Sequence, residues 1–188
     1  MAEFALHRAE HQILVSNEAI EVVCSSGVPM AKLLLRYHKP FMADRSGFLT
    51  EAGLPLKPGS AVGDAAVRTL CVGLGEWLFL GQDPIERSQA ARADIIRASD
   101  GDLSPLLVDI TDGRLMLDVS GPRAADFLKS FVTAPFDTRD TADRDCFSTL
   151  FGSVACVLLA DTDRRTYSVI VDVSYTDYMK GLIAKSTS

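Results

Sequence analysis

No apolar run in this sequence approaches the length that spans a bilayer, so it offers no membrane-crossing helix. The opening residues, MAEFALHRAEHQ, are charged early and lack the apolar centre of a signal peptide; a cytoplasmic location is expected. Cysteine is sparse. Cys24, Cys71, Cys146 and Cys156 stand apart in apolar, strand-like surroundings, and no Cys-x-x-Cys pair gives local support to zinc or thiol–disulfide chemistry. Buried, reduced thiols are expected, although spacing alone does not exclude a disulfide. A basic stretch is missing too. The net charge is −6 with Lys and Arg scattered, which advertises neither a nucleic-acid nor an anionic-membrane surface.

Catalytic signatures are equally scarce. There are three histidines. His7 and His11 have the four-residue spacing of a helical ligand pair, but no third ligand is near and the segment is a chain end, so exposed polar residues are expected. His38 stands beside Lys39-Pro40 and reads as loop. No nucleophile elbow supports a Ser-His-Asp triad. Gly73-Leu74-Gly75 lacks the third glycine and the following helix of a dinucleotide fingerprint, and reads as a hairpin turn. Asp137, Asp140, Asp143 and Asp145 lack the central glycine of a calcium loop and are interleaved with Arg139 and Arg144, which favours a solvated, internally paired connection. No catalytic, cofactor-binding or metal-binding residue is therefore assigned.

What is present is a clear fold pattern. With 188 residues, 47% hydrophobic and 23% charged, the chain can bury a sizeable core. In Leu106–Leu128, LLVDITDGRLMLDVSGPRAADFL, Leu115, Leu117 and Val119 alternate with polar or flexible residues as in a strand. Asp112-Gly113 reads as a turn, Gly121-Pro122 as a break, and Ala124, Phe127, Leu128 and Phe131 as one face of a helix. Arg123 at that helix start suits an anion, or more simply exposure and pairing with Asp126.

Upstream, Leu70–Val72 and Trp77–Leu80 predict two strands, with Trp77 in the core by default. Asp83-Pro84-Ile85-Glu86 predicts a capped helix running to about Arg97. Downstream, Cys146–Phe151, Val154–Ala160 and Thr166–Val173 predict three strands. Ser174 and Asp177 have capping-box spacing before an amphipathic terminal helix, on which Tyr175 and Tyr178 read as packing residues first and partner contacts second. In the N-terminal third, Ile20–Cys24 alternates like a strand, and Met30–His38 fits strand or helix. Ala43–Gly63 is turn-rich, yet its Phe48, Leu49, Leu54 and Leu56 suggest packing against the core. Strand pairs interrupted by single helices predict an α+β fold, antiparallel sheets with helices on one face. The expected organisation is an N-terminal extension and loop-rich segment, 1–69, packed on an α+β core, 70–188, as one domain overall.

The motif VDITDGR…LDVSGPRAADFL resembles the core of the sarcosine oxidase gamma-subunit family, which is related in fold to the folate-binding T-protein of glycine cleavage. Glu76-Trp77-Leu78-Phe79-Leu80, Asp137, Thr149-Leu150, Gly152 and Ser174 add weaker matches in the same order, over roughly Cys71–Ile183. Val173-Ser174 replaces an Arg-Ser common in the family, and Gly181-Leu182 stands where a tryptophan is common. The resemblance implies a non-catalytic accessory subunit of a heterotetrameric flavin-dependent sarcosine oxidase. In such complexes FAD, FMN, NAD and tetrahydrofolate are held by the large alpha and beta subunits, beside a small delta subunit. The reaction is demethylation of sarcosine or a related N-methyl amino acid. A competing implication of the same fold is a stand-alone folate-like binding protein, with Asp109 or Asp118 as the recognising carboxylate, although both also read as solvent-facing strand residues.

Overall fold

The computed structural model describes residues 10–36, 47–64, 66–134, 136, 144–161 and 165–186. Eleven strands among them form two sheets in which every pairing is antiparallel. The six-stranded sheet contains β1 (Glu10–Ser16), β2 (Glu21–Ser26), β8 (Arg114–Ser120), β9 (Cys146–Phe151), β10 (Val154–Ala160) and β11 (Thr166–Asp172), in the spatial order β1-β2-β8-β11-β10-β9. The five-stranded sheet contains β3 (Met30–Leu34), β4 (Ala61–Gly63), β5 (Val67–Gly73), β6 (Glu76–Gly81) and β7 (Leu106–Asp109), in the order β4-β5-β6-β3-β7.

Alternation along the strands decides which residues face where. On β8, Leu115, Leu117 and Val119 point to an outer core with Val22, Cys24, Tyr167, Val169 and Val171. Helix α3 (Ala124–Lys129) covers it with Ala124 and Leu128, and α4 (Thr176–Ser186) with Met179 and Ile183. In the five-stranded sheet Ala31, Leu33, Cys71, Trp77 and Phe79 point outward to Leu49 of α1 (Gly47–Glu51) and to Ala91 and Ile95 of α2 (Pro84–Ala98). The two inner faces meet back to back through Met30, Leu70, Leu78 and Leu80 on one side and Met116, Leu159 and Ile170 on the other. The result is α+β with each sheet carrying its helices on its outer face. Trp77 is 2% exposed, and its indole N–H donates to the Pro55 carbonyl at 2.8 Å.

Several expectations change at this level. The two strands flanking Asp112-Gly113 do not form a hairpin. β7 pairs with β3 in one sheet and β8 with β2 and β11 in the other, and Thr111–Gly113 is a 3₁₀ turn that carries the chain between sheets. A second crossing, at Gly27–Pro29, lies against it. The Ile110 N–H donates to the Met30 carbonyl at 3.0 Å, and the Thr111 hydroxyl accepts from the Met30 N–H at 3.1 Å. The described strands within 1–69 are built into both sheets. β2 stands between β1 and β8, β3 stands between β6 and β7, and the 69/70 boundary falls inside β5. Short strands with little local signal are placed by their neighbours on both sides.

Neither capping box forms. Asp83 has φ 46° and makes no side-chain cap bond. Arg87 does the anchoring instead, donating to the carbonyls of Leu80, Gln82 and Arg68 at 3.1, 3.0 and 3.0 Å. Ser174 gives its hydroxyl to Asp172 at 2.7 Å, and Asp172 accepts the Ser174 N–H at 3.0 Å at the head of a 3₁₀ turn before α4. The open reading of Met30–His38 resolves as a strand over Met30–Leu34, while residues 37 and 38 lie outside the described residues.

Gly121 is required where β8 breaks into α3. Its φ is +113°, and a Cβ there would stand 2.7 Å from the Ala19 carbonyl oxygen. Gly121→Ala is expected to cost about 2–3 kcal/mol, read as a lowered urea midpoint at unchanged slope.

Candidate functional site

Back-to-back packing closes the middle of the inter-sheet space and leaves an opening at each end of the same strands. The larger is a cleft of about 570 Å³, within the range of small-molecule sites. Leu78, Val157 and Ile170 form its apolar floor. Two ion pairs stand on its walls: Lys32 with Glu76 on the five-stranded sheet, and Arg114 with Asp172, 2.8 Å apart, on the other. Arg114 and Asp172 are direct cross-strand partners. All four side chains are partly exposed, so each pair contributes at most about 1 kcal/mol. Leu150 and Tyr175 also line the cleft, and with Tyr178 they are 42–46% exposed. Tyr178 shares a 3.2 Å hydrogen bond with Ser153, so its ring is held in place while uncovered. The two tyrosines are therefore surface residues, and Met179 and Ile183 supply the helix packing.

The smaller opening, about 280 Å³, lies at the other ends of β6, β8 and β11. Asp118 faces it rather than bulk solvent, correcting the solvent-facing reading. Ser168 donates to Asp118 at 2.5 Å, and the Arg68–Asp161 pair stands at 3.2 Å in the same pocket. Burial pushes the Asp118 carboxyl above its ordinary range, against smaller opposing effects of Ser168 and His11. Asp109 is exposed and accepts the Thr111 N–H at 3.0 Å.

Those of the remaining candidates that are described are not brought together. His11 lies on strand β1, where four-residue spacing does not put side chains on a helical face, and its Nδ1 meets the Ser25 hydroxyl at 2.7 Å. His7, His38, Asp137, Arg139, Asp140 and Asp143 lie outside the described residues. Asp145 caps the start of β4 by accepting the Ala61 N–H at 2.9 Å. Arg123 is exposed, and Asp126 pairs with Lys129 at 3.5 Å instead. Among the described residues no group of three His, Cys, Asp or Glu side chains gathers as a metal site, and no helix is long and apolar enough to cross a membrane. Sequence reading missed the ion-pair walls of the cleft. Their only advance signal was the placement of Arg114 and Asp172 on the polar phase of two alternating strands.

All four cysteines are free and buried. Burial raises every thiol, Cys146 and Cys156 to about 12. At pH 8 a thiol with that pKa is thiolate in a fraction on the order of 10⁻⁴. Native protein is expected to react with Ellman's reagent at these two positions only as fast as it unfolds, whereas urea-unfolded protein titrates four thiols at once.

Asp172 behaves oppositely. The Ser174 hydroxyl and N–H, and then Arg114, hold its carboxyl below the ordinary 3.8. A lowered folded-state value stabilises the fold above the unfolded value, and that contribution disappears as pH falls through the folded one. The stability difference between parent and Asp172→Asn is expected to be constant near neutrality and to close below about pH 4 in acid-denaturation curves.

The architecture defines a class: an α+β protein of two antiparallel sheets packed back to back with helices outside. Among solved structures, it is similar to a chain of the heterotetrameric sarcosine oxidase from Corynebacterium sp. U-96, determined in complex with pyrrole 2-carboxylate. The TM-score is 0.67 at 19% identity, over 91% of this chain and 85% of that chain. This likeness establishes a shared fold. The regulatory subunit of aspartate kinase from Thermus flavus aligns over 89% of this chain and 97% of its own at 10% identity, but a TM-score of 0.39 bears no argument. No protein-family model matches the chain, and no curated protein matches it.

Proposed function

We propose that this chain is a non-catalytic accessory subunit of the gamma type in a heterotetrameric, flavin-dependent sarcosine oxidase. The supporting observation is the extent of the fold likeness. It spans nearly the whole of both chains, so the counterpart within that heterotetramer is a chain of similar length and not a module of a much longer one. The sequence motif around Val108–Leu128 supports the same reading independently of the coordinates. On this reading the partners are alpha, beta and delta-type subunits in the cytoplasm. FAD, FMN, NAD and tetrahydrofolate sit on those partners, and this chain fixes their geometry while sarcosine or a related N-methyl amino acid is oxidised. The uncovered Leu150, Tyr175 and Tyr178 supply the kind of rigid aromatic and aliphatic anchors that dominate subunit contacts.

The alternative, a stand-alone folate-like binding protein, has less behind it. Asp109 is exposed, and the space at Asp118 holds about 280 Å³, just below the usual range for organic ligands of drug size.

Co-expression with the alpha, beta and delta-type subunits of a heterotetrameric sarcosine oxidase is the test. A yellow complex that contains this chain and releases hydrogen peroxide from sarcosine is the expected product. Tyr175→Ala with Tyr178→Ala is expected to weaken its retention about 10- to 100-fold while leaving the isolated chain folded. Tight saturable binding of tetrahydrofolate by the isolated chain would replace the accessory reading.

A further inference from the structure

Asp118 is an expensive residue for its position. It sits half-buried on the inner face of β8, between Met116 and Ser120, where the sheet packs on its partner. A carboxylate taken out of water needs hydrogen bonds or a counter-charge. Asp118 has one hydrogen bond, from Ser168 to Oδ1 at 2.5 Å. Among the described residues its Oδ2 has no hydrogen-bond partner and no ion pair. Among the described residues Arg68 is matched to Asp161, and the attraction of His11 for Asp118 is smaller than the effect of burial. The walls between these polar groups are apolar, formed by Val28, Leu80, Met116 and Leu159.

A space of about 280 Å³ with hydrocarbon walls and one uncompensated carboxylate oxygen is complementary to a short alkyl chain ending in a cation. We propose that this pocket binds a small alkylammonium ligand, its N–H groups donating to Asp118 and its hydrocarbon part lying against Leu80, Met116 and Leu159. The site is distinct from the larger cleft, which lies at the opposite ends of the same strands, and it does not depend on docking to a flavoprotein.

The ammonium has two chemical sources, a simple amine or the amino end of a zwitterion whose carboxylate reaches Arg68. Among the described residues the charged or titratable groups around Asp118 are His11 on β1, Arg68 on β5 and Asp161 after β10. Protonation of Asp118 removes the counter-charge, so affinity falls as pH drops through its raised carboxyl pKa.

The test is an amide-resolved NMR titration of the full chain with n-butylammonium, 5-aminovalerate, n-butanol and butyrate. Saturable shifts at Met116, Asp118 and Ser168, with n-butylammonium or 5-aminovalerate binding at least tenfold more tightly than n-butanol and butyrate, are expected. The tighter of the two ammonium probes identifies the source. Asp118→Asn is expected to abolish the shifts while matching or exceeding the parent melting temperature, because it removes a desolvated charge. Ser168→Ala, which keeps the carboxylate, is expected to retain binding. Should Asp118→Asn fail to fold, the parent's loss of butylammonium affinity in step with the Asp118 carboxyl titration decides the matter. Equal binding of n-butanol, shifts confined to other surfaces, full binding by Asp118→Asn or pH-independent affinity would each overturn the proposal.

Discussion

The contact between the inner faces of the two sheets is the constraint on which the rest of the molecule depends. Met30, Leu70, Leu78 and Leu80 meet Met116, Leu159 and Ile170, and this seam occupies the middle of the strands. Polar residues on the same strand phase are displaced to the strand ends. Arg114 and Asp172 lie at one end of β8 and β11, and Asp118 and Ser168 lie toward the other. The two inter-sheet openings are consequences of this arrangement: they lie where the apolar seam stops.

The seam in turn relies on the chain passing twice between sheets at one place. The crossings at Gly27–Pro29 and Ile110–Gly113 are bonded to each other through Met30 and Thr111. Since β2 and β3 flank one crossing and β7 and β8 the other, a single cluster of hydrogen bonds relates strands of both sheets. This ties the N-terminal strands to residues some eighty positions away, and such non-local pairing carries a loop-closure cost that local contacts do not.

The polar groups of the interior divide by their energetics. The ion pairs of the large cleft are half-solvated and contribute little. The thiols are desolvated and inert. Asp118 combines partial desolvation with an Oδ2 that has no hydrogen bond among the described residues, a pattern that costs stability unless a ligand completes it.

By itself the sequence determined the elements whose signal is local. Leu115, Leu117 and Val119 set one face of β8, Cys146–Phe151, Val154–Ala160 and Thr166–Val173 marked three strands, the last one residue longer than observed, and the helix read from Pro84 to about Arg97 ends at Ala98. The α+β class followed from their order. Only the tertiary structure decided that β7 and β8 belong to different sheets, that β2 and β3 are interior, and that Asp83 and Ser174 do not cap. It also decided which way Asp118 and the tyrosines face. The physical reason is that alternation tells the two sides of a strand apart but does not say what each side meets. A polar residue on a strand looks solvent-facing until a second sheet is laid over it, and a tyrosine on an amphipathic helix looks buried until the core beneath it is already full.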